Sequence, residues 1–324
     1  MYTEVVQQLE ASRTILLASH IHPDGDAIGS LIALGAALES RGKKVTLYNE
    51  HRVPPAYRFL AGSEMVVNAI PDISRYDLAV VLDCSKTERL GRIAGRLDEL
   101  PLINIDHHCS NEYFGGVQLV ECDASATAEI VYRLLRRLGC AVTEEIAYGI
   151  YTGIVTDTAS FSFSNTTPAS LKICGEMIEA GVDPTLVYHH VYITYSPERI
   201  RFMQMVLDTF VTSADNKISF MMATQEMIHK SGMKPDNVGR IVNYAKHIEN
   251  VKVSALALEE DGHDGRPPEA PSSFHVSLRS DGAIDVAKIA LGFGGGGHHR
   301  AAGFNITGTL EEVRETILGL AERI

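Results

Sequence analysis

The sequence predicts an α/β protein, with a mainly parallel sheet flanked by helices, then a helical linker, then a smaller α/β region. Three observations predict it. Short apolar runs alternate with helix-length segments through the first half. Runs such as Ala79-Val-Val-Leu82 are continuously apolar, as buried strands are. Strand signals return in the last third after a stretch that lacks them.

Taken in order, Thr14–Ser19 reads as a first strand, followed by a Gly/Asp-rich turn and a helix over Asp26–Ser40. Lys44–Tyr48, Asp77–Leu82 and Leu102–Ile105 read as further strands. Helices follow at Ala124–Leu138, with Leu134, Leu135 and Leu138 inward, at Glu144–Val155, and at Pro168–Ala180, which stops at Gly181. The stretch Leu186–Thr212 reads as helical and serves as the connector. Lys217–Ala223, Val251–Leu258 and Phe274–Arg279 read as strands, with a helix over Val238–His247 between the first two. Glu259–Ser273 is polar and rich in Pro and Gly, as an exposed hairpin loop is. At 324 residues the chain suits two domains. The expected division is 1–185, a linker at 186–212, and 213–324.

The formal net charge is −12 and no large basic block occurs, which disfavours long or duplex nucleic acid as a partner. A nucleic-acid substrate would be short and held in a local pocket. No apolar stretch reaches membrane-spanning length, and residues 1–10 carry no signal pattern, so a cytoplasmic location and no membrane partner are expected. The five cysteines, Cys84, Cys109, Cys122, Cys140 and Cys174, form no CxxC pair and read as reduced, mostly buried thiols.

Four short segments carry chemistry, each at the end of an expected element. His20-Ile-His-Pro-Asp24-Gly-Asp26 follows the first strand; a Pro-Asp-Gly-Asp turn alone is common, but two histidines stand before this one. Asp83 ends a buried strand, where an unpaired acid is costly, although a helix-capping acid would also fit. Asp106-His107-His108 ends another strand. Asp157 follows an apolar helix, where a plain polar end residue is the alternative. In open parallel sheets, sites gather past the carboxyl ends of strands. Asp24, Asp26, Asp83 and Asp157 would crowd about four negative charges, which two divalent cations offset. Carboxylate and imidazole donors without thiolate favour manganese, with magnesium or cobalt as alternatives, over structural zinc.

These residues resemble the DHH phosphoesterase superfamily, whose HxxPDxD, Asp, DHH, Asp order is filled here by His20, Asp24, Asp26, Asp83, Asp106-His107-His108 and Asp157. Gly294-Gly-Gly-Gly-His298-His-Arg-Ala-Ala-Gly303 resembles the GGGGHxxAAG signature of the type 1 DHH-associated domain. The resemblance covers nearly the whole chain. It implies a DHH catalytic domain at 1–185 and a substrate-binding domain at 213–324. It also implies that His20, Asp24 and Asp83 hold one metal, and that Asp26, Asp83, His107 and Asp157 hold the other, with Asp83 bridging. Of the catalytic set Asp83, Asp106 and His108, His108 would contact the scissile phosphate or leaving group, and Asp106 would orient the histidines. Arg279, Ser280, Gly295, Gly296, Gly297 and His298 would grip the rest of the substrate. His22, His299 and Arg300 receive no role.

Within the superfamily the chain resembles the NrnA-type group of oligoribonucleases and 3′-phosphoadenosine 5′-phosphate (pAp) phosphatases. The expected activity is two-metal hydrolysis of short oligoribonucleotides, of pAp, or of both, by a metal-activated hydroxide. A cyclic-di-AMP or pApA phosphodiesterase is the alternative. Expected partners are short RNA or DNA oligonucleotides or small nucleotides, and the resemblance alone suggests a homodimer. A catalytically silent nucleotide-binding protein on the same fold is disfavoured because every expected ligand type is present. An NAD-binding reading fails because no GxGxxG follows the first strand.

Overall fold

The computed structural model describes residues 1–193, 196–233, 241, 242, 245, 248–260 and 271–323. The chain divides into two compact units, Met1–Thr194 and Tyr195–Ile324.

The first unit begins with α1 (Tyr2–Ala11) and is built on five parallel strands: β1 (Thr14–Ser19), β2 (Lys44–Tyr48), β3 (Leu78–Leu82), β4 (Leu102–Asp106) and β5 (Val117–Val120). Their spatial order is β2-β1-β3-β4-β5, all pairs parallel. Ile15, Leu17, Val80, Leu82, Ile103 and Ile105 join one core, which takes in α2 (Gly25–Ser40), α3 (Thr127–Leu138), α4 (Glu144–Asp157) and α5 (Pro168–Glu179). Leu16, Ala18, Ala79 and Val81 face the other way onto Leu90, Ile93 and Leu97 of a 3-10 run, Thr87–Glu99. Both faces are thus covered, which is why these strands read as unbroken apolar runs.

Two features of the helices position the site. Asp24 caps α2, its Oδ1 accepting the amides of Asp26 at 3.1 Å and Ala27 at 3.0 Å. The helices α2 and α4 cross so closely that a Cβ on Gly29 would lie 2.2 Å from the Gly149 carbonyl oxygen. Glycine there lets the backbones touch and sets the start of α2, with Asp26, beside the end of α4, with Asp157.

The second unit contains six strands: β6 (Val211–Thr212), β7 (Ile218–Ala223), β8 (Val253–Glu259), β9 (Ser272–Ser280), β10 (Gly296–His298) and β11 (Ala301–Gly308). The sheet order is β10-β11-β9-β8-β7-β6, antiparallel except for the β7–β8 pair. Phe274, Val276 and Leu278 of β9 point into a core with Val286 and Ala290 of α9 (Val286–Leu291) and Val313 and Ile317 of α10 (Leu310–Leu318). The helices α7 (Pro197–Leu207) and α8 (Gln225–Ser231) pack a separate core against Met221 and Leu256.

Several expectations are corrected. The stretch read as a helical connector contains α6 (Pro184–Tyr188), a π-helical turn and α7, but its end, Val211–Thr212, is an edge strand paired with β7. Two residues carry too little alternation to signal a strand. Glu259, Ser272 and Ser273, read as loop, belong to strands, and 261–270 of that loop lies outside the described residues. Of the expected helix Val238–His247, only 241, 242 and 245 are described. The sequence reading missed β5, β10 and β11. Three of the five cysteines are buried, whereas Cys109 and Cys122 are exposed. Among the described residues no helix is long and apolar enough to cross a membrane.

Candidate metal centre

The loops after β1, β3 and β4 and the facing ends of α2 and α4 bring together the side chains expected from sequence. Nitrogen and oxygen atoms from His20, Asp24 and Asp83 lie within 4.8 Å of one another, as do atoms from Asp26, His107 and Asp157, and from Asp83, His107 and His108. Asp83 belongs to two of these groups. It directly follows β3 with φ +55, a left-handed conformation that Asp tolerates better than most residues, and it is 1% exposed. Its amide continues the sheet ladder to Ile105 O at 3.0 Å. The carboxylate therefore turns off the strand end in one fixed direction.

Each imidazole is oriented by its other nitrogen. His20 Nδ1 lies 2.7 Å from Ile21 O, which turns Nε2 toward Asp83 Oδ2 at 3.4 Å. His107 Nδ1 lies 3.3 Å from Ala124 O, and its Nε2 is 3.4 Å from Asp157 Oδ2 and 3.7 Å from Asp83 Oδ1. Carbonyl-bound Nδ1–H leaves Nε2 as a lone-pair donor, the arrangement found in metal-binding histidines. His108 differs. Its Nδ1 lies 2.7 Å from Asp106 Oδ1, and Asn111 Nδ2 donates to the other Asp106 oxygen at 2.6 Å. Burial alone would depress the His108 pKa, but the Asp106 hydrogen bond and the charges of Asp83, Asp106 and Asp157 raise it to about 9.

The carboxylates are under opposing pressures. Burial, with the charges of Asp83, Asp157 and Asp24, holds the Asp26 carboxyl well above the usual range. Burial and the charges of Asp83 and Asp24 push Asp157 up to about 7, against the pull of His107 and His108. Burial opposes the Asp83 charge as well, yet His20, His107 and His108 keep that carboxyl well below the usual range. Four acids so crowded that three, Asp24, Asp26 and Asp157, resist ionisation, set among imidazoles and no thiolate, form a donor set that fits divalent cations.

Several supporting residues escaped the sequence reading. Asp26 accepts the backbone amides of Thr127 at 2.6 Å and Ala128 at 2.8 Å, and the Ser30 hydroxyl donates to it at 3.3 Å. The Thr127 hydroxyl donates to Asp83 Oδ1 at 3.1 Å. Asn165 Nδ2 reaches Asp157 Oδ2 at 3.4 Å and Ser125 O at 3.0 Å. One signal was available: α3 has alanine at its N-cap and no side-chain cap of its own. The orphan amides of such a helix need an acceptor from elsewhere, and Asp26 supplies it.

In the second unit Arg279 and His298 both pair in register with Ala301, from opposite sides, so the two side chains share one face of the sheet. Arg279 Nη1 donates to Leu278 O at 2.8 Å, and among the described residues no carboxylate pairs with it. Burial lowers its pKa. Ser280 is placed differently from the expectation of substrate contact: it is buried, its hydroxyl donates to Ile284 O at 2.6 Å and accepts the Gly282 amide at 3.2 Å, and so it holds the turn after β9. The glycine run is not simply a loop. Gly296 and Gly297 lie in β10, and a Cβ on Gly295 would stand 2.2 Å from Gly303 O. A Cβ on Gly297 (φ +144) would stand 2.5 Å from Ala302 Cα.

Residues 14–154 match the DHH family N-terminal domain, and residues 217–324 match the DHHA1 domain. The chain is 32% identical to the bifunctional oligoribonuclease and PAP phosphatase NrnA of Thermus thermophilus, over 98% of this chain and 91% of that protein. It is 25% identical to the Bacillus subtilis protein of the same name, over 94% of this chain and 93% of that one. The crystal structure of an exopolyphosphatase-related protein from Bacteroides fragilis superposes with a TM-score of 0.88 at 29% identity, covering 98% of this chain and 95% of that one. The chain belongs to the DHH family of metal-dependent phosphoesterases.

Proposed function

We propose that the chain hydrolyses phosphate esters of very short oligoribonucleotides and of pAp, the activities named for its Thermus and Bacillus relatives. The observation that carries the reading is Asp83, a buried carboxylate common to two adjoining nitrogen–oxygen donor groups. In this reading His20, Asp24 and Asp83 hold one divalent ion, and Asp26, Asp83, His107 and Asp157 hold a second, with manganese the favoured metal. Such ions, when bound, lower the pKa of water and offset phosphate charge.

The chain's own residues supply the rest. Asp106, steadied by Asn111, keeps the His108 imidazole oriented and favours its protonated form. With Nδ1 committed to Asp106, His108 is left with Nε2–H to donate to a phosphate oxygen or to the departing oxygen. Arg279 offers a planar fork suited to phosphate, and His298 stands on the same face to hold the rest of the nucleotide. Gly295, Gly296 and Gly297 allow the backbone of that strand to approach a ligand closely. Ser280 serves by fixing the turn that follows Arg279.

The test is hydrolysis of pAp, a diadenylate, pApA and cyclic-di-AMP by the purified protein in manganese and in chelator. Manganese-dependent release of AMP from pAp and of mononucleotides from the diadenylate is expected. Turnover of cyclic-di-AMP alone would replace this substrate assignment, and no metal-dependent turnover of any substrate would end it.

A further inference from the structure

The open face of the mixed sheet carries more than Arg279 and His298. Strand pairing sorts its side chains into rows that cross the sheet. One row is His298, Ala301 and Arg279, the next is Gly296, Gly303 and Ser277, and the next joins Asn305 to His275. Successive rows on one face are two residues apart, about 7 Å along the strands. The residues between them, Val276, Leu278, Ala302 and Phe304, turn into the core. The middle row holds no side chain larger than serine, and a Cβ on Gly296 would meet nothing within 4 Å. A low floor therefore separates two rows that carry polar nitrogen groups.

His275 is held in one pose. Its Nδ1 lies 2.7 Å from Asn305 Oδ1. An amide oxygen can only accept, so Nδ1 carries the proton, and Nε2 of the neutral ring is a lone-pair acceptor. The ring does not stand upright over its own row. A Cβ on Gly303 would lie 3.0 Å from His275 Nε2 and 3.2 Å from its Cε1. The Nε2–Cε1 edge thus leans across the floor toward the row of Arg279, and glycine at 303 leaves room for it. Arg279 is half-buried, and among the described residues no carboxylate pairs with it. The acid at the other end of the face, Glu260, lies beyond His275, where its Oε2 accepts the Ser273 hydroxyl at 3.0 Å. An unpaired cation, a floor without bulky side chains and an oriented acceptor follow one another as phosphate, sugar and base do in a nucleotide.

We propose that His275, positioned by Asn305, reads the base of the substrate: its Nε2 accepts a hydrogen bond from the exocyclic amino group of the adenine whose nucleotide phosphate is held by Arg279. The proposal rests on the phosphoesterase reading above and deepens it by dividing the nucleotide among named groups. The phosphate falls to the guanidinium, the ribose lies over Gly303 and Ser277 near His298, and the base meets the leaning ring.

The test is calorimetric binding, in manganese, of AMP and of purine riboside 5′-monophosphate, which lacks the amino group. The unaltered protein is expected to favour AMP about 3- to 10-fold, as one neutral hydrogen bond does. His275→Ala should abolish that preference while leaving the affinity for purine riboside 5′-monophosphate unchanged, and His275→Gln, which keeps an acceptor, should retain part of it. Asn305→Ala, which frees the ring, should lose part of it as well. Arg279→Ala should weaken both ligands alike and leave their ratio intact. No preference in the unaltered protein, or a preference that survives His275→Ala, overturns the contact. So does an equal loss of both ligands in His275→Ala, and unchanged melting temperatures exclude misfolding as its cause. Turnover is a separate readout: if the unaltered protein hydrolyses neither pAp nor a diadenylate, the phosphoesterase reading fails, and the binding ratio still decides whether His275 reads the base.

Discussion

The two sheets place their chemistry differently. In the parallel sheet β1, β3 and β4 are buried on both faces, and His20, Asp83 and the Asp106–His108 run stand at or past the strand ends. In the mixed sheet β9 alternates: Phe274, Val276 and Leu278 face the core, while Ser273, His275, Ser277 and Arg279 on the other face are only partly covered. A sheet wrapped on both sides has only its rim to offer, and there several loops can converge on one point. A sheet with an open face offers register instead, and Arg279 and His298 are aligned by strand pairing through Ala301. The rim fixes each donor through several buried partners, and the face fixes its donors mainly through the ladder.

Substitutions should expose that contrast. The largest effect is expected at the rim. Asp83→Ala removes the carboxylate common to two donor groups, and turnover in manganese should fall by about 1,000-fold or more, with loss of bound metal measured in parallel. A rate near that of the unaltered protein would contradict the convergence described here. On the open face the expected effect is smaller and selective. Arg279→Ala should raise KM for pAp about 10- to 100-fold and change kcat less, while a minimal artificial phosphodiester is scarcely affected. Equal losses on both substrates would mean that the face and the rim act as one site. The smallest effect concerns stability. Gly297→Ala puts a side chain where φ is +144 and Ala302 Cα would lie 2.5 Å away, at an expected cost of about 2 kcal/mol or more. Gly296→Ala meets nothing within 4 Å and should change stability by about 0.5 kcal/mol or less. Similar melting temperatures for the two variants would refute the close β10–β11 packing.

The same contrast governs what the sequence discloses. Strands such as Thr14–Ser19 and Lys44–Tyr48 were legible to the residue, because apolar runs broken by turn chemistry leave a local signature. The rim acids were legible too, since a titratable residue at the end of an apolar run is locally conspicuous. β10 was hidden because its glycines have no side-chain period, and β5 because four residues between polar turns carry little pattern. Thr127, Asn111 and Asn165 were hidden for another reason: Thr127 acts on an acid from a distant segment, and the two asparagines act on Asp106 and Asp157 only because the chain turns back after them. Nothing local distinguishes such a side chain from an ordinary polar one. His22 shows the limit from the other side, with a position set by sequence but a ring partner, His51, set by topology.

Asp26 closes the circle between architecture and chemistry. The carboxylate that belongs to the donor set is also the group that accepts the first amides of α3, more than a hundred residues along the chain. A lineage that gave up hydrolysis could not simply discard this acid, because the helix would then start with bare amides. Decay of the activity would have to be preceded by a replacement acceptor, or accompanied by a looser fold. The retention of an aspartate here in an inactive descendant would thus record a debt to the scaffold and would not by itself certify an enzyme.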